Sequence, residues 1–149
     1  MFASILVGTD GSDTASTAVR RAIALALELK AKLQIVSAYE PTAAEQRLLL
    51  ERTQVPGDIE WTVNPRADVL ELLDRAGSEA RRAGVPEVET FARQGDAADA
   101  ILDVAEEQSA DLIVVGNKGM TGAKRFLLGS VPNKISHHAP CSVMIIRTT

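Results

Sequence analysis

Short apolar runs and helix-spaced stretches take turns along the whole of this chain, and that alternation restricts its fold more than any other feature. Residues 3–7 are apolar and stop at Gly8, the pattern of a buried strand. Thr9, Asp10, Gly11 and Ser12 supply turn chemistry. From Ala15 onward, Ala18, Val19, Ala22, Ile23, Ala26 and Leu27 share one helical face. Residues 33–39 form a second apolar run, closed by Pro41. Residues 41–63 are the least legible part: 43–52 read as a short helix and 55–58 as a turn, within a long β-to-α excursion. Asn64 and Pro65 then make a helix start, Asn as N-cap and Pro at the first helical position. Val69, Leu73, Ala76, Ala80 and Ala83 stack on its inner face, and Gly84 with Pro86 ends it. Residues 87–93 alternate Val88, Thr90 and Ala92 with Glu87, Glu89, Phe91 and Arg93, the mark of a half-exposed edge strand. Asp96 caps a helix whose inward positions are Ala100, Ile101, Val104 and Ala105. Residues 112–115 are a wholly apolar strand, 116–128 a loop, 130–138 a short helix and 141–146 a last apolar strand.

This order of elements predicts an α/β fold of three α/β/α layers, because right-handed crossovers between parallel strands put helices on both faces of the sheet. At 149 residues the chain is expected to be a single domain, 1–149, large enough to bury its own core. In such sheets ligands bind beyond the carboxyl ends of the strands, where the strand order reverses. Two glycine-bearing stretches stand at strand ends, residues 8–12 after the first strand and 116–130 after the fourth. If those strands are neighbours, both loops flank one crevice.

Composition narrows the function. Aromatic residues are only 3%, too few for the stacking platforms of single-strand nucleic-acid binders. A net charge of −4 argues against a general DNA-binding or anionic-membrane surface. The charge is unevenly placed: residues 111–149 carry Lys118, Lys124, Arg125, Lys134 and Arg147 against the single acid Asp111, a net +4 that leaves −8 on residues 1–110. The single cysteine, Cys141, excludes an internal disulfide framework and is read as a small apolar core residue. With no leader-like opening and no long apolar run, the expected location is the cytoplasm.

The stretch that carries chemistry is Gly116-x2-Gly119-x9-Gly129-Ser130. It contains neither a Walker loop nor the Gly-x-Gly-x-x-Gly fingerprint. Its physics nevertheless suits phosphate. Glycines admit close approach of a ligand to the backbone, and successive amides form an anion nest. The N–H groups of Ser130, Val131 and Asn133 lie at the positive end of a helix dipole. Against this stand simpler roles: loop glycines for the spaced motif, an Asx-turn or helix cap for Asp10, and solvated loop charges for Lys118, Lys124 and Arg125. Charge steering of an anion is the alternative for those three. His137 and His138 lie at a helix end, where positive charge is favoured without any ligand. Trp61 and Leu48, Leu49 and Leu50 are read as core cover.

That spaced-glycine motif, with its serine, resembles the nucleotide-binding signature of the ATP-binding branch of the universal stress proteins. Ile5-Leu-Val-Gly-Thr-Asp-Gly-Ser12 is similar to that family's first strand and acidic turn. Gly95-Asp-Ala-Ala-Asp-Ala-Ile101 is similar to the start of its third helix. Asp111-Leu-Ile-Val-Val-Gly116 and His138-Ala-Pro-Cys-Ser-Val143 are similar to its last two strands. The likeness runs from Ile5 to Arg147, with residues 41–62 outside it in character. Asn117-Lys118 and Ser142 depart from the family's commoner residues.

The resemblance implies a Rossmann-like, five-stranded parallel sheet of order 3-2-1-4-5, with strands one and four adjacent. It implies ATP as ligand, with or without Mg²⁺. It places Thr9 and Asp10 at the ribose or adenine and the backbone near Ala38 at the adenine edge. It gives Gly116, Asn117, Gly119, Gly129, Ser130 and Val131 to the ribose and phosphates. It also implies a homodimer through the last strand, whose Val143, Met144, Ile145 and Ile146 leave an apolar edge bare.

No convincing base for phosphoryl transfer accompanies these clamps, so at most slow hydrolysis is expected. The leading expectation is a regulatory ATP-binding protein whose ligand shifts a conformational or partner-binding equilibrium, the partner protein being unidentified. The alternatives are a dimeric scaffold that works without nucleotide and a protein whose true ligand is AMP. An adenylating enzyme of related fold is disfavoured, since the loop after the first strand reads Gly8-Thr-Asp-Gly-Ser12 rather than Ser-Gly-Gly-x-Asp-Ser.

Overall fold

Side chains alternate across a strand, so a strand that is apolar throughout must be covered on both faces. The computed structural model, which describes residues 2–39, 66–117 and 130–148, solves that requirement with two cores. The elements are β1 (Ser4–Gly8), α1 (Asp13–Leu29), β2 (Lys32–Tyr39), α2 (Arg66–Ala83), β3 (Val88–Gln94), α3 (Ala97–Glu107), β4 (Leu112–Gly116), α4 (Ser130–His138) and β5 (Ser142–Ile146). The strands pair in parallel in the order β3-β2-β1-β4-β5, the expected order. The expected helix at 43–52, the turn at 55–58, the Asn64-Pro65 start, Trp61 and the leucines at 48–50 lie outside the described residues.

Register explains the layering. Ile5 stands opposite Leu33 on one side and Leu112 on the other. With Val7, Ile35 and Val114 they form one apolar face, packed under Ala18, Ala22 and Ala26 of α1 and Val69, Leu73 and Ala80 of α2. Residues of the other parity, Leu6, Val36, Ile113 and Val115, face Ala100, Ile101 and Val104 of α3 and Ile135 of α4. The many alanines let the helices approach the sheet closely. Gln34 interrupts this pattern: fully buried, it accepts a hydrogen bond from Ser4 Oγ at 3.1 Å but leaves its own Nε2 without a partner. No described helix is long and apolar enough to cross a membrane.

Element ends follow local chemistry. Ser12 is extended at φ −69°, ψ 163°, and its Oγ accepts from Ala15 N, capping α1. Lys30 closes α1 in the left-handed region at φ 54°. Asp96 caps α3, its carboxylate accepting from Asp99 N at 3.0 Å, as expected. Two inner-face expectations shift. Leu27 is 39% exposed and covers Gly84 instead of the core, and Ala83 faces solvent. Both lie in the last turn of their helix, beside Ala26 and Ala80, which stay buried on the inner face. β3 is half-buried on both faces, consistent with its place at the edge.

Candidate functional site at the β1/β4 reversal

The sheet runs outward from β1 to β2 in one direction and to β4 in the other, so the chain order reverses between β1 and β4. Asp111 holds the two strands side by side from the opposite end: its Oδ2 accepts from Ala3 N at 2.8 Å and Ser4 N at 3.0 Å. Beyond their carboxyl ends lies a crevice. Gly8 and Gly116 form part of its lining, Thr14 and Ala15 come from the first turn of α1, and Val131 and Pro132 from the first turn of α4. Ile101 of α3 and Val115 are the other described residues that line it.

Each contributor has a local reason to be there. At Gly8 a Cβ would overlap the end of the Ile101 side chain and lie 2.9 Å from its Cγ1, so only glycine lets α3 sit so close. Thr9 is buried, its N–H donating to Val36 O at 2.9 Å while its Oγ1 accepts from Gly11 N at 3.1 Å. Asp10 accepts from Ser12 N through Oδ1 at 2.9 Å, an Asx-turn. Ser12, not Asp10, caps α1. Gly11 takes φ +82°, which a side chain would strain. These bonds fold the chain back on itself and bring the first turn of α1 to the crevice.

Ala38 stands one residue before the end of β2, half-buried against the α3 side of the sheet. Ser130 is exposed as the first residue of α4, and Val131 packs against the core beneath. Pro132 has no N–H, so the first-turn donors of α4 are those of Ser130, Val131 and Asn133. They carry the positive end of that helix.

Asn117 is engaged by the chain around and beyond the end of β5. Its N–H donates to Ile146 O at 2.9 Å, and its Oδ1 accepts from both Thr148 N at 2.9 Å and Thr148 Oγ1 at 2.8 Å. Its carboxamide oxygen is occupied by the segment after β5. Gly119 and Gly129, with Lys118, Lys124 and Arg125, lie outside the described residues. Of the basic groups in that half of the chain, Lys134 is engaged by α3: its Nζ lies 2.7 Å from Asp99 and 3.5 Å from Asp96. The hydrogen bond with Asp99 raises its pKa, against a smaller opposing effect of desolvation. Cys141 is half-buried, and that burial, followed by the charge of Asp111, raises its thiol pKa. Among the described residues no group of three or more His, Cys, Asp or Glu side chains could hold a metal ion.

Sequence reasoning missed the roles of Ser12, Asp111, Asn117 and Lys134. Ser12 was findable, since it is a capping residue three positions before the first buried alanine. The Asn117–Thr148 and Lys134–Asp99 contacts had no local signal.

The sequence model of the Universal stress protein family matches residues 1–147. The chain belongs to that family. Universal stress protein Rv1636 of Mycobacterium tuberculosis (strain ATCC 25618 / H37Rv) is 38% identical over 148 residues, covering 99% of this chain and 98% of its own. A universal stress protein solved in complex with cAMP is 30% identical, with a TM-score of 0.74 and 99% of each chain covered. The universal stress protein from Archaeoglobus fulgidus, in complex with dAMP, is 25% identical with a TM-score of 0.64, covering 97% of this chain and 98% of its own. Among universal stress proteins, then, this chain has the sheet order that the family resemblance implied and the layering that its sequence pattern implied.

Proposed function

We propose that this universal stress protein binds an adenine nucleotide in the β1/β4 crevice and acts as a nucleotide-dependent regulator in the stress response. One observation carries the reading: the glycines that end β1 and β4 and the first turn of α4 converge on a single crevice at the chain reversal. Backbone amides are the donors a phosphate needs, and glycine keeps side chains out of its way. Gly116, Ser130 and Val131 take the phosphate end, together with Gly119 and Gly129. Thr9 and Asp10 take the ribose side, and the backbone at Ala38 takes the adenine edge.

ATP is the ligand that the glycine motif favours. A second reading, a nucleoside monophosphate, is favoured by the two relatives solved with cAMP and dAMP. Mg²⁺ would ride on the phosphate oxygens and water, since it is commonly held through substrate phosphates. The ligand works by binding one conformation better than another, which shifts the equilibrium toward a partner protein. A homodimer forms through β5, whose Ile145 is 40% exposed at the sheet edge.

The test is to denature the purified protein, identify released nucleotide by mass spectrometry, and titrate the emptied protein with ATP, ADP, AMP and cAMP. Saturable binding of at least one is expected. ATP binding more tightly than AMP supports the first reading, and the reverse order supports the second. No binding at millimolar concentration would leave a scaffold that works without nucleotide.

A further inference from the structure

Asn117 and Thr148 are 31 positions apart in the chain, yet they form a bonded pair beside the crevice. β4 ends at Gly116 and β5 at Ile146, which stand opposite each other in register. One residue further, Asn117 N–H donates to Ile146 O at 2.9 Å. Two residues beyond β5, Thr148 gives both its backbone N–H and its hydroxyl to the Asn117 carboxamide oxygen. A carbonyl oxygen has two lone pairs, so this acceptor is filled. The same threonine also covers Gly116: a Cβ there would lie 3.4 Å from Thr148 Cγ2 and 3.7 Å from Thr14 O. Gly116 is thus fixed between the segment after β5 and the first turn of α1.

We infer that Asn117 and Thr148 are positioning residues for the nucleotide crevice, holding Gly116 in place and transmitting the placement of edge strand β5 to it. The inference rests on the nucleotide reading above and adds residues to it. It also reassigns Asn117: its oxygen serves the fold of the site rather than the ligand. Thr148, remote from every glycine of the motif in sequence, becomes part of the site's support. The three bonds join β4 and β5 past the point where the strand ladder stops, so a displacement of β5 reaches Gly116 without passing through the core.

The experiment is a double-mutant cycle read in adenine-nucleotide affinity by calorimetry, with thermal melting of each ligand-free variant alongside. Thr148→Val removes one of the two bonds to Oδ1 and is expected to weaken binding about threefold. Asn117→Ala removes both and is expected to weaken it about tenfold. The double variant is expected to bind no worse than Asn117→Ala alone, because one latch is lost in either case. Thr148→Ser, which keeps both donors and loses only the methyl over Gly116, is expected to bind more tightly than Thr148→Val. If Thr148→Val binds normally while Asn117→Ala does not, Asn117 meets the ligand itself and the inference falls. Additive losses, or melting shifts with affinity unchanged, overturn it equally. A wild-type protein that binds no nucleotide overturns the functional reading first and the positioning role with it.

Discussion

Ser130 is the residue at which ligand binding and folding can be separated most cleanly. It is exposed at the start of α4, so its replacement disturbs no packing. Ser130→Glu places a negative charge at the positive end of the helix, which stabilises helices by about 0.3–1 kcal/mol. The same charge opposes a phosphate there. The expected outcome is an unchanged or slightly higher melting temperature together with a loss of nucleotide affinity of about tenfold or more. Binding at full strength would remove the phosphate from this helix end. Cys141 offers a second residue-level check. Burial and the Asp111 charge raise its pKa, so less thiolate is present at a given pH in the folded protein than in the unfolded chain. Iodoacetamide at pH 8 should therefore alkylate it more slowly in the native protein than in denaturant. Equal rates would contradict that surrounding.

At the scale of elements, β1 and α3 meet closely where both line the crevice. Gly8→Ala drives a methyl into Ile101 and is expected to cost about 1–3 kcal/mol in chemical denaturation. Ile101→Val in the same chain removes the overlapping Cδ1 and should recover part of the loss. Failure of the second change to help would mean the cost arises elsewhere. Ser12→Ala removes the cap of α1 and is expected to cost about 1 kcal/mol. The elements themselves were legible in the sequence because their signals are local: apolar runs for β1 and β4, helical spacing for α1 and α3, the acid at Asp96 for its cap. The α4 boundaries, Ser130–His138, were readable from the glycine before it and the Pro140 after it. Leu27 and Ala83 misled because helical spacing does not separate the centre of an apolar face from its margin: Ala26 and Ala80 in the same turns are buried, while Leu27 lies over Gly84 and Ala83 faces solvent. In the candidate site, Gly116 ends β4 and Ser130 begins α4, where the spaced motif put them. The engagement of Asn117 with Thr148, and of Lys134 with Asp99, was not legible, because those pairs exist only after β4 meets β5 and α3 meets α4.

For the whole molecule, the uneven charge takes on a different meaning from the one composition alone implied. Residues 111–149 carry a net +4, but Lys134 is bound to the acids that begin α3. Lys134 is thus committed to α3 and is no part of the proposed phosphate contacts, which are backbone amides and a helix end. Assembly is tested at β5, where Val143 and Ile145 face one side of the sheet and Met144 and Ile146 the other. Ile145→Asp, at a position already 40% exposed, should convert a dimer to monomer in size-exclusion chromatography while the fold persists in circular dichroism. An unchanged dimer would exclude pairing through this strand.

In the proposed complex the β1/β4 crevice holds the phosphate end of an adenine nucleotide. Calorimetric titration of nucleotide-free wild type and Ser130→Glu with ATP and AMP tests it most directly. One saturable site per chain is expected in the wild type and a loss of affinity of about tenfold or more in the variant, with both proteins equally folded. Absence of binding by the wild type at millimolar nucleotide, or equal binding by the two proteins, would contradict it.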